Sequence, residues 1–218
     1  MNKLYKLPAF KKDELLVELV LLWFDGENIF NKIGTSKIND LWKTLWFAKG
    51  KQQVIIDSKL NKFEDSINFW YENYENESLL KTIYEKLSVI ILFDQVTRNI
   101  FRGKSKAYKY DHIALKMTKD IIQSIDFESI HDHLKIFLIL PLIHSEDISD
   151  IKLAQSLCNK HLTYPYDWIY SLKGILTNHS DRILLFGRIP ERQSKKGENN
   201  TEKEKIYLQN ITFSQKWK

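Results

Sequence analysis

Leu80, Ile83, Leu87 and Ile91 recur at the three- and four-residue spacing of one helical face, and the same count carried further lands on Asp94 and then Arg98. An apolar stripe that ends in an acid and a base constrains the chain twice. It requires a long helix buried on that side. It also requires that Asp94 and Arg98 satisfy each other or a ligand, because an ion taken out of water without a partner costs several kcal/mol. The stretch Phe93-Asp94-Gln95-Val96-Thr97-Arg98-Asn99-Ile100-Phe101-Arg102-Gly103 thus predicts a polar site inside a helical protein, with Gly103 placed to end the helix.

Helical spacing governs the rest of the chain as well. Asp13 predicts the cap of a helix reaching Phe24, Asn39 or Asp40 the start of a short one through Phe47 that Lys49-Gly50 closes, and residues 52–71 a third. Further helices are expected to Phe101 or Arg102 after Ser78, over 108–125, from Asp132 with Pro141 forcing a kink or early end, from Ser145 to about His161, and over 167–186 up to Gly187. Tyr164-Pro165 reads as a turn and 188–200, with Pro190 and Gly197, as a polar loop, before Thr201-Glu202-Lys203-Glu204 opens a closing helix with a capping box. No stretch alternates as a strand would. With 43% apolar residues, 7 Gly and 4 Pro in 218 residues, the expectation is an all-α array of antiparallel helices forming a single domain over 1–218.

Composition narrows the setting. The net charge of +5 is diffuse, with small patches at Lys195-Lys196 and at Lys216 and Lys218, which permits nucleic-acid contact without demanding it. The single cysteine, Cys158, excludes an intrachain disulfide and fits a reducing, cytoplasmic compartment. No run approaches the ~20 apolar residues of a membrane span, and the start of the chain lacks signal-peptide features.

The pattern of Asp94 and Arg98 repeats on other helices. His144 falls in line with Phe137 and Leu140, Asp147 with Ile151, Ala154 and Cys158, and His179 between Leu176 and Ile183, while Gln95, Asn99, Arg102 and Glu146 lie close beside them. Each alone has an ordinary structural reading: an ion pair at i and i+4, acids in a first helical turn, a hydrogen-bonded core histidine. Together they predict one polar pocket between helices. A metal is not expected. Glu128-Ser-Ile-His131 has no second copy to complete a di-metal site, and His144, Glu146 and Asp147 cannot all point the same way to join His179 on one ion. No cofactor is expected either, since no Gly-rich phosphate loop, nucleophile elbow or zinc spacing is present.

Four segments, FDQVTRNIFRG, AYKYD, LILPLIHSED and NHSDRILLFGRIPERQ, resemble the bacterial family called domain of unknown function 924, over roughly residues 19–211. The resemblance implies an all-α, tetratricopeptide-like fold and leaves the activity unassigned. It carries over the polar positions Asp94, Gln95, Arg98, Asn99, Arg102, His144, Ser145, Glu146, Asp147, His179, Arg188 and Arg192. The chain departs from the family pattern at Thr97 in place of proline, Ile151 in place of glutamine and Gln193 in place of asparagine, and Glu198 reverses the charge of an arginine.

Three functions compete on these residues. The first is a binding protein for an anionic small molecule or peptide, with Gln95, Arg98, Asn99, Arg102, Arg188 and Arg192 as ligand-binding groups and the guanidinium forks facing carboxylate or phosphate. The second is an enzyme, a hydrolase or transferase, with His144 or His179 as general acid or base and Asp94, Glu146 or Asp147 orienting it. The third is an RNA-associated factor that uses a basic loop at 192–196.

Overall fold

Side-chain caps and buried stripes decide where the helices begin and end. The computed structural model describes residues 3–27, 29–162 and 166–211, and no strand occurs among them. Helices α1 (Pro8–Lys12) and α2 (Glu14–Trp23) meet at Asp13, whose carboxylate caps α2 at the Leu16 amide and accepts the Trp70 indole N–H at 2.9 Å. Helix α3 (Thr35–Leu41) leads through a π turn at Trp42–Trp46 to α4 (Gly50–Leu60), and a 3-10 turn at Asn61–Phe63 joins α4 to α5 (Glu64–Asn73).

The central helix is composite. α6 (Ile83–Ile91) opens on a capping box between Thr82 and Glu85, and the fully buried Glu85 also accepts the Ala9 amide at 2.9 Å, which ties α1 to the centre. The helix widens into a π turn at Leu92–Val96, continues as α7 (Thr97–Ile100) and ends before Gly103, whose φ of 78° is left-handed. Every residue from Leu87 to Thr97 is buried. Around it stand α8 (Asp111–Ile122), α9 (Asp132–His144), α10 (Ile148–His161) and α11 (Ile169–Phe186), followed by α12 (Pro190–Lys196) and α13 (Glu202–Asn210). α8 packs on both α6 and α9, α9 on α10, and α10 on α11. The core between them is apolar and aromatic: Trp23, Phe24 and Trp46 each meet Phe137 edge-on, at 5.9, 5.9 and 4.9 Å between ring centres.

Several expected boundaries move, each for a local reason. The helix over 52–71 is two helices, because the 3-10 turn lets Leu60, Phe63, Ile67 and Trp70 all reach the core. Gly50 starts α4 rather than closing its predecessor, and α3 begins at Thr35 rather than at Asn39 or Asp40. α9 passes straight through Pro141; it is buried from His133 to His144, and that packing outweighs one missing amide donor. The largest correction concerns 188–200. It is no open polar loop but contains α12, whose Arg192 and Gln193 are buried, so the inner face of this helix is polar and gives no hydrophobic signal. Tyr164-Pro165, Lys216 and Lys218 lie outside the described residues. No described helix is long and apolar enough to cross a membrane.

Candidate functional site

The last turn of α9 and the π turn of the central helix face each other, and this places His144 against Asp94. His144 Nδ1 lies 2.6 Å from Asp94 Oδ1, and the Gln95 amide donates to Oδ2. Arg98 Nη1 donates to the Asp94 carbonyl at 2.8 Å and sits 3.4 Å from the same Oδ1. Its two terminal nitrogens also grip Asp111, at the start of α8, at 2.8 Å each. Asp111 is a partner that sequence reasoning missed, because an acid in a first helical turn reads as an ordinary dipole contact; its place in AYKYD beside FRG is the signal that could have found it.

Burial alone would raise the Asp94 carboxyl, but His144 and Arg98 nearby, with hydrogen bonds from His144 and Gln95, hold it at about 2. Burial and Arg98 push His144 below its ordinary value, outweighing the pull of Asp94. The pair is therefore an ionised carboxylate accepting from a neutral imidazole, which fixes the proton on Nδ1 and makes Nε2 the basic nitrogen.

Two further groups converge on the end of α9, where the last carbonyls of a helix have no partner within it. His179, fully buried on α11, donates from Nδ1 to the Ile143 carbonyl at 2.9 Å, and burial followed by the charge of Arg192 pushes it down to about 2. Arg192, on α12 and 3% exposed, donates from Nη1 to the His144 carbonyl at 2.8 Å. Its Nη2 is buried with no hydrogen-bond partner. Each of the other four arginines holds a carboxylate at 2.8 Å or less: Arg98 holds Asp111, Arg102 Asp57, Arg182 Glu191 and Arg188 Glu204. Among the described residues no carboxylate lies within ion-pair distance of Arg192. Burial and the like charge of Arg98 lower its affinity for its proton, against a weaker pull from Asp111 and Glu146.

Other expected site residues are drawn elsewhere. Arg188 turns to α13, where its fork meets Glu204 at 2.7 and 2.9 Å and also contacts Glu198 and the Asn199 carbonyl. Arg102 pairs with Asp57 and with Asn99, which in turn donates to the Gln95 carbonyl. Glu146 pairs with Lys196 at 3.1 Å. Asp147 is exposed, not inward: it caps α10 in an extended conformation, so the helical count back from Ile151 does not apply to it, and its Oδ1 accepts from the Ser149 amide and hydroxyl. Asp150 is the buried acid there, held by Ser145 and Lys119. The stretch 192–196 is not a basic loop. Arg192 is inside and Lys196 is paired, which leaves Lys195 as its exposed charge.

Among the described residues no group of three or more His, Cys, Asp or Glu side chains is placed to hold a metal ion. Two surface hollows lie away from the cluster, one beside Tyr74 and Lys116 and one between Leu21, Leu41 and Ile56. The cluster reaches solvent at a rim where Arg98 keeps 19% and Asp111 23% of the side chain exposed.

A family model described as a bacterial protein of unknown function, DUF924, matches residues 19–212. The chain belongs to the DUF924 family. No curated protein matches this DUF924 chain. A solved structure titled as a protein of unknown function, ATU0120, from Agrobacterium tumefaciens superposes with a TM-score of 0.68 at 23% identity, covering 91% of this chain and 98% of that one. At that identity the likeness establishes the shared all-α fold of the DUF924 chain.

Proposed function

We propose that this protein binds an oxyanion, the carboxylate or phosphate of a small molecule or peptide, at Arg192 with Arg98 beside it. The observation that carries the reading is the buried Arg192 fork, which has one bond to a carbonyl, an unpartnered Nη2 and no carboxylate, while every other arginine of the chain has one. A guanidinium desolvated in this way beside a second guanidinium is costly by itself and complementary to an incoming anion. Arg188 and Arg102, whose forks are taken by Glu204 and Asp57, belong to the frame of the site rather than to ligand capture.

The test is a thermal-shift screen of carboxylated, phosphorylated, neutral and cationic metabolites. Anionic compounds stabilise the protein, by about 2.7 kcal/mol at a hundred times the dissociation constant, and Arg192→Met removes the effect. Stabilisation by neutral or cationic compounds alone refutes the reading. The Asp94–His144 pair supports an enzyme as the second reading, because a carboxylate that fixes the imidazole tautomer is the arrangement general-base catalysis uses. Turnover of a stabilising compound on incubation would move the assignment there.

A further inference from the structure

We infer that His144 is the proton-accepting group of the anion site: an oxyanion that docks on Arg192 is bound together with one proton, held at His144 Nε2. The inference rests on the anion-binding reading above and adds the ligand's class, a weak acid recognised as its anion plus a proton.

Position comes first. Arg192 grips the carbonyl of His144 itself, and Arg98 shares Asp94 Oδ1 with the His144 ring, so both guanidinium groups act on the imidazole. Asp94 takes Nδ1, and that is the one side-chain hydrogen bond of the ring among the described residues, so Nε2 is left. The ring is thus fixed in one tautomer with its lone pair on the nitrogen left for a ligand.

Charge balance comes second. Asp94 and Arg98 come from the central helix, Asp111 and the neutral Tyr108 from the approach to α8, and Arg192 from α12. Glu146, after α9, is neutralised by Lys196 of α12. Two carboxylates face two guanidinium groups, so the cluster is balanced before any ligand arrives. Docking an oxyanion adds negative charge in a poorly solvated place, where charge imbalance is expensive. Of the groups around the site, arginine is already protonated, Tyr108 can only lose a proton, and Asp94 is held ionised by two hydrogen bonds and Arg98. His179 has committed its N–H to the Ile143 carbonyl and packs against the positive Arg192. Glu146 is already matched by Lys196. His144 remains, with Asp94 ready to accept from it as an imidazolium. The proton comes from the ligand's acid form or from solvent, forms a bond to Nε2, and offsets one negative charge of the anion in place, His144 being the one group there able to take a proton.

The experiment titrates the intact protein calorimetrically with sulfate, an anion that does not change charge near neutrality, across pH and in buffers of different ionisation enthalpy. The expected result is uptake of about one proton per sulfate bound, with affinity falling about tenfold per pH unit on the alkaline side. His144→Gln binds sulfate through Arg192 only with the weaker affinity that the unmodified protein shows at its alkaline limit, and loses both the proton uptake and the pH dependence. In case that variant fails to fold, imidazole resonances of the unmodified protein are followed against pH: of the six histidines, one shifts its titration upward by at least about one unit when sulfate saturates the site. Sulfate binding that Arg192→Met abolishes, but that takes up no proton, overturns this inference and leaves the anion site standing. Absence of any Arg192-dependent sulfate binding counts against the anion site itself, and the inference falls with it.

Discussion

Arg188 and Arg192 lie on either side of Pro190, and they meet opposite surroundings. Arg188 keeps 27% of its side chain exposed and is saturated, with a bidentate bond to Glu204 and further contacts to Glu198 and Asn199. Arg192 is nearly inaccessible and is left with a single carbonyl. Stability alone would distribute partners the other way, since the buried charge is the one that needs them. The corner between α12 and α13 is therefore built to hold the fold, while the end of α9 keeps a buried guanidinium with no carboxylate of its own, of the kind that binding sites retain at the expense of stability. The contrast makes the centre and the corner separable by substitution.

The largest effect is expected within the centre but on its paired member. Arg98→Met leaves Asp94, 1% exposed, with only neutral donors, and unfolding in urea should show a loss of about 3–5 kcal/mol. Replacing Asp94 by Asn in the same chain should recover part of that loss, because the stranded charge is gone. A double variant as unstable as the single one would mean that Asp94 is held by His144 and Gln95 without help from Arg98, and the centre would then be two independent pairs.

Acid separates the regions next. His179 titrates at about 2 in the folded protein against an ordinary 6.5, so below 6.5 the unfolded chain binds a proton that the folded one refuses. Stability therefore falls as pH drops through 6.5, by about 1.4 kcal/mol per unit for this group. At the corner, the hydrogen bond from Arg188 holds Glu204 at about 2 against an ordinary 4.5, and its contribution, present above 4.5, is lost only as pH falls from there toward 2. His179→Asn, whose amide can still donate to the Ile143 carbonyl, should flatten the loss that begins near 6.5 and leave the more acidic one. An unchanged melting-temperature profile between pH 7 and 5 would assign that loss to other histidines, His133 foremost, since burial lowers it to about 4.

The two regions were also unequally legible in the sequence. Periodicity alone turns Asp94, His144 and His179 inward: the two histidines sit on regular helices, and Asp94 lies in a π turn where every residue is buried, so the shift of phase does not expose it. It failed for Asp147, where the helix has not yet begun, and for α12, where the inward residues are themselves polar and no apolar stripe exists to count. The capping boxes at Thr82 and Thr201 are local chemistry. The second was readable as written, whereas the first was passed over in favour of an earlier start. Pairings over long separations, Arg102 with Asp57 or Lys196 with Glu146, leave no local trace, since a surface acid and a partner acid look alike until the chain folds.

Smaller in stability, and opposite in sign to Arg98→Met, is Arg192→Met. Removing a buried charge that has no carboxylate while keeping much of its volume should leave the melting temperature unchanged or raise it, by at most about 1–2 kcal/mol in equivalent stability. Arg188→Met should lower it by about 1–2 kcal/mol, since Arg188 is partly exposed and the buried Glu204 carboxylate keeps the hydrogen bond from the Thr201 amide. If the two variants destabilise equally, Arg192 is a structural residue after all, and the contrast between corner and centre collapses.

The smallest effect belongs to Glu198, the acid standing where the family resemblance implies an arginine. Its carboxylate lies 3.3 Å from Arg188, is 54% exposed, and touches neither Arg192 nor His144 among the described contacts. Glu198→Arg therefore replaces a weak surface attraction by a weak repulsion next to a fork that Glu204 already occupies, and the cost should stay within about 1 kcal/mol. Anion capture at Arg192 should gain little, since Glu198 is exposed and directed at Arg188, whereas the charges acting on Arg192 are foremost Arg98, Asp111 and Glu146. Comparing the thermal shift produced by a given anion in Glu198→Arg at low and at physiological salt makes the point measurable. A clear strengthening that survives physiological salt would show that corner and centre share one ligand, and that the reversed charge at this position restrains binding directly.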